Sequence, residues 1–245
     1  MSILYFDCET LSTGDDGKPV DIVLAVTLVD NVPTVWRERP RAGPFSCQTA
    51  TALATCLVNH QGQVCTFNGA GFDFRVVAAL LPAGTLRNQL VATCLHKHVD
   101  IMMDWFSSQG YYSSMAAFCE GCNLGGKSWS GAESAKAVTE ALAPNVPDAD
   151  LEAVMNRVEA YCIGDTRCLH DLLTYLHNNC CLRRVAKTSG RTTSWTPWKV
   201  QSIRTVAECV RHWQLQPVIP AWMDSPPPPP HTMISWIKTA ISQRV

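Results

Sequence analysis

The chain has 245 residues, 47% of them apolar, with 20 Lys and Arg against 21 Asp and Glu and 12 cysteines. That length suits one α/β domain with an extension, and the apolar share supplies a sizeable core and excludes wholesale disorder. No apolar run approaches the roughly 18 residues a membrane span needs. The opening Met1–Asp7 reaches an acid without a basic n-region, so it does not read as a signal peptide. The expected location is inside the cell, in cytoplasm or nucleus, with no membrane partner.

In chain order, Ser2–Asp7 reads as a strand, and the β-branched run Asp21–Asp30 as a second. Pro33–Arg37 follows a turn at Asp30-Asn31, so the three predict an antiparallel meander. Cys47–His60 has helical spacing, Val64–Phe67 is a short buried strand, and Phe72–Leu81 is a helix stopped by Pro82. From Leu95 to Tyr175 the pattern is mainly helical. Its longest periodic stretch is Asp150–His177, with Asp148 or Asp150 after Pro147 as the expected cap. Strands, then alternation, then helices predict an α/β layered fold with a mixed sheet.

The cysteines lie mostly inside apolar runs, as at Cys56 and Cys65, and read as reduced, buried small hydrophobes rather than disulfides. His96, His98, Cys119 and Cys122 include zinc-ligand residue types, but no second close cysteine pair follows. They read as core and helix-end residues.

The net charge of −1 hides an asymmetry: residues 1–182 hold 11 Lys and Arg against 19 acids, residues 183–245 hold 9 against 2. We divide the chain accordingly into a domain, 1–182, and a basic, Trp- and Pro-rich extension, 183–245. Arg183, Arg184, Lys187, Arg191, Lys199 and Arg204 follow one another with no acid between, interleaved with Trp195 and Trp198. Two readings fit: the segment contacts nucleic acid, or it docks on the acidic body. Pro226–Pro230 predicts polyproline II, read as a stiff spacer ahead of an amphipathic piece, Thr232–Ile241, rather than a ligand for another domain.

Three acidic elements carry the chemistry. Asp7-Cys8-Glu9 closes the first strand. Alternation puts both carboxylates on one face, where they repel unless a hard cation sits between them. Thr66–Asp73 runs from a strand through a Gly-rich turn to a helix N-terminus, where Asp73 is also favoured electrostatically. Tyr161 and Asp165 stand at i and i+4 on a helix, and Asp165 interrupts an apolar stretch, which is costly unless the acid is paired or binds metal.

In order and spacing, these elements resemble the DEDD exonucleases of the ribonuclease H-like superfamily. Those relatives include the proofreading domains of family-B DNA polymerases and predicted viral or phage 3′→5′ exonucleases. The strand ending Asp-x-Glu-Thr is Asp7–Thr10, Asn-x-x-x-Phe-Asp is Asn68–Asp73, and Tyr-x-x-x-Asp is Tyr161–Asp165. Asp100, among apolar neighbours, and Gly126-Lys127 also look similar. The resemblance covers roughly residues 2–177. Ala160 stands where a sibling subclass has histidine, so the match is to the tyrosine subclass. It implies a ribonuclease H-like mixed sheet flanked by helices, and two divalent ions, Mg²⁺ or Mn²⁺, held by Asp7, Glu9, Asp73 and Asp165. Tyr161 would stand beside the attacking water. Thr10, Leu11, Asn68 and Phe72 would touch the 3′-terminal nucleotide of a single strand, DNA favoured over RNA. Beyond the span of the resemblance, the charge pattern alone sets Arg183, Arg184 and Lys187 as expected contacts along the strand's path. Proofreading, repair and decay all stay open as roles, with a polymerase or repair protein among the expected partners. The alternatives are a binding protein on the same fold and a ribonuclease H-like endonuclease.

Overall fold

The computed structural model describes residues 2–12, 20–38, 42–125, 129–188, 191–220, 223 and 228–237, with the backbone alone at 186–188 and 191–196. A five-stranded sheet organises the chain. β1 (Ile3–Thr10) pairs antiparallel with β2 (Ile22–Val29), and β2 antiparallel with β3 (Val32–Trp36), so the meander forms. On its other side β1 pairs parallel with β4 (Gln63–Thr66), and β4 parallel with β5 (His98–Asp100), giving the order β3-β2-β1-β4-β5. The crossover from the meander to β4 is α1 (Cys47–Asn59), capped by Ser46; α2 (Asp73–Leu80) and α3 (Thr85–His96) lead from β4 to β5.

Helices cover both faces because the central strands alternate apolar residues of both parities. Leu4, Phe6 and Cys8 enter one core with Leu53 and Leu57 of α1, Phe74 and Val77 of α2, and Leu90 and Cys94 of α3. Behind the opposite face run α4 (Ile101–Gln109), α5 (Met115–Gly121), α6 (Gly131–Ala141) and α7 (Asp148–Asn179). Val23, Leu24 and Val26 pack on Val138 of α6 and on Met155, Val158 and Cys162 of α7. Arg37, its side chain 3% exposed, pairs with Glu152 at 2.5 Å and ties the end of the meander to α7. The architecture is a mixed α/β sheet flanked by helices, as expected.

Several local readings differ. Neither Asp148 nor Asp150 caps α7: Pro147 holds the cap position, and both acids lie in the first turn, where the helix dipole favours them. The helical stretch from Leu95 is broken by β5, too short for periodicity to reveal. The basic segment folds into a hairpin, β6 (Cys181–Thr188) with β7 (Arg191–Lys199), that runs across the 182/183 boundary. It is followed by α8 (Val206–Leu215), capped by a Thr205–Glu208 box. Of the Pro226–Pro230 run, the described prolines end by capping a four-residue helix, α9 (Pro230–Met233); the rest, and the end of the Thr232–Ile241 piece, lie outside the described residues. Among the described residues no helix is long and apolar enough to cross a membrane, and all twelve cysteines are free. Cys119 and Cys122 are core residues.

Candidate active site

The alternation of β1 sends Asp7 and Glu9 toward α7. There Asp165 stands at i+4 from Tyr161 and i+3 from Cys162, so all three side chains turn toward the strand. The Cys162 thiol donates to Asp7 Oδ2 at 3.4 Å, and one ligand atom each from Asp7, Glu9 and Cys162 lies within 4.8 Å of the others. Glu9 is 5% exposed and Asp165 4%. Burial first, then the charges of Asp165, Glu9 and Asp7, push the Tyr161 phenol far above its ordinary value, and it is hydrogen bonded to Asp165. Burial and the same carboxylates also push the Cys162 thiol well up, so it stays a neutral S–H donor. Two of the four expected acids therefore converge directly, and the third acts on the same phenol.

Asp73 arrives from the other side. Pairing of β1 with β4 ends at Tyr5 and Cys65, so amides of β1 beyond that point lose a ladder partner on this edge. The Asp73 carboxylate takes one of them. Its Oδ1 accepts from the Cys8 amide at 3.0 Å and from the Cys8 thiol at 2.9 Å. Burial raises the Asp73 carboxyl to about 6, the Cys8 bonds oppose this, and the charge of Asp100 adds to it. Asp73 is thus joined to Asp7 and Glu9 through the residue between them.

The turn before Asp73 is built by a residue that the sequence marked only as an acid among apolar neighbours. Asp100 accepts from the amides of Asn68 (2.9 Å), Ala70 (2.9 Å) and Met103 (3.1 Å), holding the turn and capping α4 at once. Its place before a helical run was the available signal. Asn68 takes the left-handed position, φ 70°, which asparagine tolerates. The Gly69 amide donates to Thr66 Oγ1 at 2.9 Å, and that hydroxyl meets Nε2 of fully buried His98 at 2.7 Å. A Cβ on Gly69 would lie 2.2 Å from Thr66 Oγ1, so the close approach requires glycine. Cys162 was missed as a site residue. Its position next to Tyr161, on the helical face that it shares with Asp165, could have indicated it.

The expected substrate residues are placed unevenly. Thr10 is buried and donates its hydroxyl to the Ser12 carbonyl at 2.7 Å, while Leu11 is half-buried against the α6–α7 core. Phe72 is half-buried, with the Arg75 guanidinium 5.8 Å from its ring centre. Asn68 lines a cleft of 410 Å³. Arg183 is exposed, whereas Arg184 binds Ser113 Oγ at 2.8 Å and lies 5.2 Å from the Tyr111 ring centre. The Lys187 side chain lies outside the described residues, as does that of Trp195. Trp198 is a core residue, edge-on to Trp105 at 5.6 Å, and has no face to offer a base. Arg204 docks on the body, pairing with Asp104 at 2.5 Å.

The sequence model of the RNase H superfamily matches residues 4–177, and the chain belongs to that superfamily. No curated protein matches it. Among solved structures, the chain is similar to exonuclease I in a structure bearing on how processivity is achieved, at 15% identity and a TM-score of 0.34, covering 73% of this chain and 44% of that one. A zinc-bound complex of Escherichia coli exonuclease I with single-stranded DNA gives 12% identity and a TM-score of 0.37, covering 73% and 41%. The chain therefore spans less than half the length of these structures.

Proposed function

We propose that this member of the RNase H superfamily is a metal-dependent 3′→5′ exonuclease that hydrolyses a single nucleic-acid strand from its 3′ end. The observation that carries the reading is the convergence of Asp7 and Glu9 with Tyr161 and Asp165 at the junction of β1 and α7. Carboxylates gathered in a partly dehydrated site destabilise one another, and a hard cation offsets that repulsion. The donor set, mostly carboxylate oxygen, suits Mg²⁺ or Mn²⁺. Asp7, Glu9 and Asp165 would hold one ion and Asp73 a second, with Asp7 shared. When bound, the ions would neutralise the acids and the phosphodiester and make water a competent nucleophile.

The chain's own groups then have distinct tasks. Tyr161 keeps its proton, so it orients the attacking water by hydrogen bonding and does not act as a base. Cys162 donates to Asp7 and fixes its rotamer. Asp100 and the Thr66–His98 pair hold the turn that places Asn68 and Asp73. Asn68 and Phe72 are the residues through which the terminal nucleotide would be gripped, with Thr10 and Leu11 contributing through the β1 end. Arg183, Arg184 and Lys187 would follow the strand further on. DNA is the favoured substrate, and a polymerase or repair protein the favoured partner.

The test is a 5′-labelled single strand with Mg²⁺ or Mn²⁺, alongside a circular strand. A ladder shortening from the 3′ end, with the circle intact, is the expected result; early internal cuts refute it. Asp7→Ala and Asp165→Ala should each lose calorimetric Mn²⁺ binding at one site and nearly all turnover.

A further inference from the structure

We infer that the C-terminal segment, outside the span matched by the family, completes a nucleotide subsite beside the Asn68–Gly71 turn. There it would take one unpaired base and its phosphate. The inference rests on the proposed nuclease reading and assigns that site a further binding element. The segment Thr232–Trp236 comes back across the sheet's end and forms one wall of the 410 Å³ cleft; Asn68, Arg75, Met102 and Tyr112 form the rest. The family match ends at residue 177.

Three features show that the wall is fitted to the turn. Trp236 Nε1 donates to the Ala70 carbonyl at 2.9 Å, fixing the indole against the turn. A Cβ placed on Gly71 would lie 3.6 Å from Met233 Cε, ordinary van der Waals contact, so Met233 sits directly against the turn. Ile237, next along, is buried in the core with Phe74 and Val77 of α2. The segment is anchored at the C-terminal end of the cleft-facing residues.

The lining has the chemistry of a nucleotide. Among the described residues Arg75 is the one formal charge in the lining and no acid lines it, so the cleft suits an anion. Tyr112 is 46% exposed while its ring stacks on Phe106 at 4.6 Å and 28°, a rigid aromatic surface backed by the core. Rigid rings in a cationic cleft stack on unpaired bases with little regard to sequence. The cleft is joined to the acids through the turn itself, since Asp73 lies two residues beyond Gly71.

The full chain and the variants Arg75→Ala and Tyr112→Ala are compared in two assays. The first is fluorescence anisotropy of a phosphorothioate-linked oligothymidylate. The second is hydrolysis of thymidine 5′-p-nitrophenyl phosphate, which fills the cleavage site alone. Each variant should weaken the oligonucleotide about tenfold, and leave KM and kcat for the small ester within about twofold. Tyr112→Phe keeps the ring and should keep wild-type affinity, which separates stacking from lost folding. Unchanged oligonucleotide affinity in both alanine variants overturns the subsite, as does an equal loss in Tyr112→Phe. Failure of the wild-type chain to hydrolyse the small ester with either metal counts against the nuclease reading instead, and the binding assay still reads the cleft.

Discussion

Replacing Arg204 by methionine tests whether the basic extension docks on the acidic body. Asp104 is fully buried, and Arg204 is 27% exposed. Asp104 Oδ1 accepts from Arg204 Nε at 2.6 Å and Oδ2 from the Arg204 amide at 3.0 Å; Arg204 Nη2 also bonds Ser108 Oγ. Even so paired, burial holds the Asp104 carboxyl above its ordinary value against the opposing pull of Arg204. Arg204→Met leaves that carboxyl buried with a backbone amide as its remaining Arg204 partner. Stranding one member of a buried ion pair costs about 3–5 kcal/mol. In a chain of this size each kcal/mol lowers Tm by about 2–4 °C, so the expected fall is roughly 6–20 °C. The sign of the pH effect is fixed: without Arg204 the folded pKa of Asp104 rises further above its unfolded value. The protonated form then stabilises the fold at low pH, and this contribution is lost as pH rises through the folded pKa. The deficit should therefore be larger at pH 7 than at pH 5. Urea denaturation at both values measures it. A loss under about 1 kcal/mol, or a deficit that does not narrow at pH 5, refutes the reasoning. Adding Asp104→Leu should restore most of the loss, less about 1–3 kcal/mol for the stranded Arg204 amide.

His98 gives an acid-side prediction. Burial lowers its folded pKa from 6.5 to about 3, so the stability it contributes is complete above pH 6.5 and is lost as pH falls toward 3. Between pH 6.5 and 5 the wild type should lose about 2 kcal/mol more than His98→Gln in urea melts; parallel pH dependences would contradict this. Tyr161→Phe should fold and bind Mn²⁺ normally but cleave about 10- to 100-fold more slowly, since only water positioning is lost; wild-type kcat would remove Tyr161 from the mechanism. Gly69→Ala drives a methyl to 2.2 Å from Thr66 Oγ1 and should cost about 1–3 kcal/mol in chemical denaturation. A neutral result would mean the turn is looser than its hydrogen bonds imply.

The sequence by itself determined what rests on local periodicity. Alternation along Ile3–Thr10 put Asp7 and Glu9 on one face, i, i+4 spacing put Tyr161 and Asp165 on one side of a long helix, and the Gly-rich stretch before Asp73 marked a turn into a helix. The antiparallel start of the sheet followed from the closeness of three apolar runs. Tertiary structure decided every relation between residues distant in the chain, because burial and pairing depend on which surfaces meet. It placed the Cys162 thiol against Asp7, gave Asp73 to the unpaired edge of β1 at Cys8, and made Asp100 the clamp of the turn. It also divided the basic segment, whose charges look alike in sequence: Arg204 is drawn onto buried Asp104, Arg184 onto Ser113, and Arg183 stays exposed. Charge pattern reports how many cations a segment holds. Which of them are neutralised is set by the low-dielectric contacts that only packing creates.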